Sequence, residues 1–300
     1  MTKVRPETPV LAKLFGVEGV RHPKDPASAH IRRSQWQIAQ AIILFGLIAW
    51  LIHAGAAAME YRWQWYRAGP FFYRFIDGEF IPGPLIRGII VTLQLAGVSS
   101  VLAILIGAFT AIGRMSNSIA GRLIATTYLE IIRNTPLLVQ LFMFYFVLAP
   151  IFEIERFWAG VLCLAAFEGS FAAEIIRGGI QAVERGQYEA ADATGLSKFD
   201  KYRYVIVPQA LPLILPPLTG LLISLIKHSA IVSVIAVAEL TTEGLNLISD
   251  TYMAFEIWFI VAGMYLVLTT SLSVLVNILE VRMNKARLVH KSKPPCKKRR

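Results

Sequence analysis

Residues 38–59, 88–113 and 257–279 each run without a single Asp, Glu, Lys or Arg. A bilayer core of about 30 Å takes about 20 apolar helical residues to cross, because hydrocarbon offers no partner to a backbone N–H or C=O. Runs of this length therefore predict membrane-spanning helices. Three further stretches qualify with interruptions. Residues 123–152 carry Glu130 and Arg133, and residues 157–176 carry Glu168 and Glu174, so these two face protein or a wet cavity rather than lipid alone. Residues 211–226 contain Pro212, Pro216 and Pro217, then meet Lys227 and His228 before a second apolar run at 229–238. That pattern predicts a kinked or broken helix followed by a re-entrant segment or short helix. The expected fold class is all-α integral membrane, with six transmembrane helices. A hydrophobic share of 55% agrees with lipid rather than water as the solvent.

The net charge of +10 is not spread like a nucleic-acid footprint, for the Lys and Arg lack interleaved aromatics. Of the 30 basic residues, 23 fall before residue 38, at 114–122, at 177–203 and after residue 280. The segment 239–256 has four acids and no base. Positive-inside bias then predicts that both termini are cytoplasmic. Residues 60–75 hold Tyr61, Trp63, Trp65, Tyr66, Phe71, Phe72 and Tyr73 among three arginines, which suits a helix lying in the outer headgroup zone. The first 35 residues are polar and basic without the apolar core of a secretory signal, so the N-terminus is expected to be retained. Cys163 lies in an apolar run and Cys296 in the polar tail, which excludes a disulfide framework. The five histidines have no metal spacing, and neither a Ser/His/Asp nor a Cys/His arrangement is present, so no catalytic residue and no metal is expected.

One polar segment has more pattern than a connecting loop needs. Residues 186–208 contain Glu189-Ala190-Ala191, three residues, Gly195, nine residues, Val205, one residue, Val207 and Pro208. Good helix formers at 189–194, a glycine able to take the left-handed stop, and a second polar-aromatic stretch from Ser197 predict helix, tight turn, helix. In this spacing the chain resembles the permease subunits of binding-protein-dependent ABC importers. Further matches resemble the polar amino acid group of that family: Thr92-Leu-Gln-Leu, Gly113-Arg114, Glu130-Ile-Ile-Arg-Asn-Thr-Pro-Leu-Leu-Val-Gln140, Ala173-Glu-Ile-Ile-Arg-Gly-Gly-Ile180 and the run from Lys227 to Glu239.

The resemblance implies a division of the chain. Residues 1–36 form a cytoplasmic segment, 37–59 an additional helix, 60–84 a periplasmic aromatic-rich segment, 85–283 a five-helix permease core with coupling helices at 186–204, and 284–300 a basic cytoplasmic tail. It also implies partners: a dimer of ATPase subunits docked on Glu189, Ala190, Ala191, Gly195 and Pro208, a second permease subunit, either the same chain or a paralogue, and a periplasmic substrate-binding protein. The chain has no GxxxxGK[ST] loop, so ATP and Mg belong to the ATPase partner and this subunit is not itself an enzyme. The bacterial inner membrane is the implied location, and a small polar amino acid the implied substrate. An opine or another small polar solute fits the same motifs, and an integral-membrane enzyme or passive channel is the reading of a different class.

Within the spans, a carboxylate at Glu168 can hold a substrate ammonium or be hydrogen-bonded to a neighbouring helix. Gln140 can donate to a substrate carboxylate or act between helices. Phe171, at i+3 from Glu168, and Leu137 are candidates for the same path. Glu174 with Arg177, and Glu130 with Arg133, have the spacing of internal ion pairs. Lys227 and His228 follow the kink, where they can meet freed carbonyls or a carboxylate, and a gating role for Lys227 stands beside simple snorkelling.

Overall fold

The computed structural model describes residues 26–58, 61–76 and 78–291. The sequence expectations for 1–25 and for 292–300, Cys296 included, lie outside the described residues. The chain divides into two compact units, Met1–Trp63 and Gln64–Arg300. In the first, helix α1 spans Pro26–Ala58 and contains an 18-residue apolar window, Ile38–Gly55.

The second unit opens with a feature that residue patterning misjudges. Instead of one interfacial helix, the aromatic segment forms a 3-10 turn at Trp65–Arg67, a single turn α2 at Gly69–Phe72, and an antiparallel hairpin of β1, Tyr73–Ile76, with β2, Glu79–Pro82. Gly69 and Pro70 break any longer helix, and Gly78 at φ +80° takes the left-handed backbone that lets the strands return. Aromatics recurring every second residue then share a face: Tyr73 stacks on Phe80 with ring centroids 5.9 Å apart, and Phe75 meets Phe80 edge-on. Gly83 then begins the next helix where no side chain fits, since a Cβ there would lie 2.4 Å from the Phe71 carbonyl oxygen.

Helix α3, Pro84–Met115, starts with proline in its first turn, where a missing N–H costs nothing. Its buried residues, Thr92, Ala96, Ser99, Ala103, Gly107 and Ala111, recur every three or four positions, forming a stripe of small side chains. Against it lies α7, Arg156–Gln181, whose own buried stripe includes Ala165, Gly169, Ala172 and Ala173. Ser99 Oγ donates to the Val161 carbonyl across this contact at 3.3 Å. A Cβ on Gly107 would fall 2.6 Å from Ala172 Cβ and 2.9 Å from the Ala173 backbone nitrogen, whereas one on Gly97 of the same helix meets nothing within 4 Å. Gly107→Ala is therefore expected to destabilise the fold by about 1–3 kcal/mol through overpacking. Gly97→Ala, which only removes a flexible glycine, should be neutral to slightly stabilising. Thermal unfolding of the two variants in detergent checks this, and equal stabilities would remove the close-packing argument.

Helix α4, Ile119–Arg133, is capped by Ser118, whose hydroxyl accepts from the Gly121 N–H at 3.2 Å. Pro136 ends its continuation, because proline cannot supply a helical N–H and pushes the preceding residue out of the α region. The chain bends by 108° into α5, Leu137–Phe142, a π-helical turn at Met143–Leu148, and α6, Ala149–Phe152. The expected single span over 123–152 is thus a bent pair.

After α7 come α8, Arg185–Ala193, α9, Lys198–Asp200, and a π-helical turn at Lys201–Ile206 leading into α10, Val207–His228. Despite three internal prolines α10 stays helical, packed along its length on α7. The interruption comes after His228, as a 3-10 segment at Ser229–Ile235 ending in Ala236 at φ +54°. Helix α11, Leu240–Thr251, is capped by the buried Glu239 carboxylate, which accepts from the N–H groups of Thr241 and Thr242. Its start packs on α3, where Thr92 Oγ1 accepts from the Leu240 N–H at 3.1 Å. Helix α12, Ala254–Lys291, closes the unit. Five helices among the described residues are long and apolar enough to cross a membrane, and six spans result if the bent pair is one. The chain is a multi-pass, predominantly helical membrane protein.

Candidate functional site: a protruding helical knob and a polar centre on α7

The segment singled out by its spacing folds as a small, internally tied knob between α7 and α10. Tyr188 Oη donates to the Ile180 carbonyl at 2.8 Å, fastening α8 to the end of α7, and its ring meets Tyr202 edge-on. Burial pushes the Tyr188 phenol above its ordinary value, reinforced by Tyr202 nearby, so it remains a donor. Gly195 adopts φ +71°, and the N–H groups of Gly195 and Leu196 return to the carbonyls of Asp192 and Ala191, a left-handed helix stop. Ser197 then caps α9, accepting from the Asp200 N–H at 3.1 Å, and Lys201 Nζ reaches Asp192 Oδ1 at 2.5 Å across the turn. Ala191 alone of the signature residues is buried, holding α8 to its neighbours, while Glu189, Ala190, Gly195 and Pro208 are exposed. Glu189 pairs with Arg185 one turn back at 3.0 Å. Phe199 and Tyr204 also stand exposed, bracketing Arg203, whose guanidinium lies 5.8 and 5.5 Å from their ring centres. The knob presents apolar and charged surface on a frame that does not depend on that surface.

The polar residues of the spans form two groups. In the first, Glu168 of α7 is 3% exposed, and His228, the last residue of α10, sets its Nδ1 2.5 Å from Glu168 Oε1. Phe167 meets the His228 ring edge-on at 5.9 Å and Phe171 at 5.2 Å. Arg133, at the end of α4, lies over the Phe171 ring with its guanidinium carbon 5.7 Å from the centre. Five side chains from three helices thus make one contiguous group. Sequence patterning allowed His228 a carboxylate but could not choose which, since the two residues are 60 apart in the chain.

The second group centres on Glu174. Arg177 holds it through Nε and Nη2 at 3.0 and 2.6 Å, Arg114 of α3 binds the other oxygen, and Arg133 lies 3.7 Å away. The expectation that Arg133 pairs with Glu130 is corrected: Glu130 instead accepts from Asn134 Nδ2 at 2.9 Å, because the helix ends there and folds the amide back. Of the two roles open to Gln140, the geometry shows a structural one. Its amide nitrogen lies within 2.7 to 3.0 Å of the Ile132 carbonyl, the Thr135 carbonyl and Thr135 Oγ1, so both hydrogens serve the backbone groups freed at the bend. Its Oε1 is buried with no hydrogen-bond partner. Leu137 is half-buried, Phe171 is partly exposed, and Lys227 is exposed. Among the described residues, no group of three or more His, Cys, Asp or Glu side chains could hold a metal ion.

Comparison with known proteins agrees with this architecture. Residues 103–285 match the family described as binding-protein-dependent transport system inner membrane component. The glutamine transport system permease protein GlnP of Escherichia coli K12 is 37% identical over 202 residues, covering 66% of this chain and 92% of its own length. A crystal structure of an amino acid ABC transporter with histidines is 43% identical, covers 66% of this chain and 94% of that one, and superposes with a TM-score of 0.62. An inward-facing MetNI methionine ABC transporter, at 23% identity and a TM-score of 0.54 over 67% of this chain and 95% of that one, shares the fold.

Proposed function

This chain belongs to the family of binding-protein-dependent transport system inner membrane components, and from that premise we propose that it is the permease subunit of an ATP-driven importer of polar amino acids. The observation that carries the reading is the knob at 185–206. Glu189, Ala190, Gly195 and Pro208 are exposed while Tyr188 ties the knob to the Ile180 carbonyl of α7 and Gln209 of α10 donates to Gln187 Oε1 at 3.1 Å, which is the construction a rigid lever needs. In this reading the core at 85–283 sits in the bacterial inner membrane with both termini in the cytoplasm. A pair of ATPase subunits, carrying ATP and Mg, docks on the knob. A second permease subunit, the same chain or a paralogue, completes the path, and a periplasmic binding protein delivers the amino acid. Closure of the ATPases pushes the knob, and its ties to Ile180 and to the start of α10 turn those helices together, opening the path alternately to the two sides.

Glutamine permeases and an amino acid transporter among the relatives support the substrate class. The group of Glu168, Phe171 and His228 is the substrate contact in this reading, and Leu137 is a further candidate for the path. Gln140 braces the bend. Pull-down of the detergent-solubilised chain from its native membrane tests the assembly: an ATP-hydrolysing subunit should co-purify at 1:1 stoichiometry, and crosslinks from a cysteine at Glu189 should reach it. Crosslinks confined to lipid would refute the docking. Separately, Glu168→Gln is expected to lower uptake about tenfold or more, since the loss of one buried charged contact is worth about 1.5–3 kcal/mol. Unchanged uptake and substrate preference would remove Glu168 from the path.

A further inference from the structure

We infer that His228 is a specificity-determining residue: by occupying the Glu168 carboxylate it makes the polar centre select amino acids with uncharged polar side chains over basic ones. The inference rests on the reading that Glu168 meets the substrate. A carboxylate 3% exposed within a span is a strong attractor for any cation that can reach it, and if it were bare it would favour the guanidinium of arginine or the ammonium of lysine. It is not bare. Among the described residues, the ion pairs of Glu168 comprise His228 alone, at 2.5 Å. With its proton on Nδ1 the ring donates to Oε1, and when doubly protonated it also cancels the charge. The other cations near this group are directed elsewhere: Arg133 lies over Phe171 and against Glu174, and Lys227 is exposed at the end of α10.

The imidazole is built into place, unlike a mobile side chain that a substrate displaces at no cost. It ends a helix, where the backbone carbonyls favour a cation, and Phe167 packs edge-on against it. A basic substrate must break that pair to reach Glu168, leaving His228 without its carboxylate, while an amide side chain can hydrogen-bond beside the intact pair. Discrimination thus arises from a group of the protein itself that stands where the wrong substrate's cation would go, a repulsive element rather than a better fit to the right one.

Equilibrium binding of radiolabelled L-glutamine and L-arginine to the purified permease–ATPase complex in detergent tests this without the binding protein's own selectivity. The wild type should prefer glutamine. His228→Ala should raise the arginine-to-glutamine affinity ratio about tenfold, about 1.4 kcal/mol. His228→Lys, which keeps a donor on Glu168, should retain the wild-type preference, a rescue that a merely structural role for His228 would not produce. Should His228→Ala fail to assemble, His228→Asn, a donor without charge, should shift the ratio in the same direction by less. A ratio unchanged in the assembled alanine or asparagine variant, with Glu168→Gln altering either affinity, overturns the role of His228 alone. If Glu168→Gln leaves both affinities as they were, the substrate site itself is misassigned.

Discussion

Gly195→Asp should leave the protein inserted in the membrane at normal levels and abolish substrate-stimulated ATP hydrolysis by the assembled transporter. Gly195 sits at φ +71° in the stop that follows α8, and a Cβ added there meets nothing within 4 Å. The backbone penalty is about 1–2 kcal/mol for most L-residues in left-handed geometry, and Asp, which tolerates that region, falls at the low end. Such a cost, borne by a short exposed turn, is small against the packing of α3 on α7 and cannot unfold the spans. What changes is the outer surface of the knob, where a carboxylate now projects into the space the ATPase would fill. An unpaired charge desolvated at an interface costs several kcal/mol, enough to break the coupling. Gly195→Ala carries nearly the same strain without the charge and should retain part of the stimulation. Measured in proteoliposomes with binding protein and substrate, normal stimulated ATPase activity in the aspartate variant would refute the lever.

The spans and the knob were legible in the sequence for a common reason. Each is specified by neighbours along the chain, the spans by long apolar runs and the knob by helix formers, a glycine stop and a second cap within 20 residues. Where partners come from different helices, local spacing misleads. Glu130 and Arg133 have the separation of an i,i+3 pair, but Arg133 ends its helix and turns toward Glu174 and Phe171. Glu174 and Arg177, with the same separation but with the helix continuing to Gln181, do pair. The role of Gln140 stays open at the sequence level because the sequence reveals that Pro136 interrupts the helix but not that the bend is 108°, sharp enough to bring the carbonyls of Ile132 and Thr135 back onto its amide. The hairpin at 73–82 was hidden by its aromatic density, which fits an interfacial helix as well as a strand until Gly69, Pro70 and Gly78 are weighed as breakers.

Loss of the Glu174 carboxylate should be the most destabilising single change among the charged residues of the spans. One side chain there answers three guanidinium groups from three helices, Arg114 on α3, Arg133 on α4 and Arg177 on α7. Among the described residues, only Arg177 of the three has a second hydrogen-bond acceptor, Gln181 Oε1 at 2.6 Å. Glu174→Ala therefore removes an attraction and also leaves three like charges facing one another. Breaking a fully buried pair costs about 3–5 kcal/mol. Side-chain exposures of 23% for Glu174 and 29–44% for the arginines admit some solvent, which brings the expectation to about 2 kcal/mol. The partners should not be equivalent. Arg114→Gln and Arg177→Gln each remove a direct hydrogen bond and should cost about 1 kcal/mol. Arg133→Gln, whose nitrogen lies 3.7 Å away and whose side chain is the most exposed of the three, should fall within about 0.5 kcal/mol of wild type. Thermal unfolding of the four variants in detergent measures the order. If Glu174→Ala proves no worse than Arg133→Gln, the carboxylate does not clamp the three helices, and their packing must rest on the small-residue seam between α3 and α7 alone.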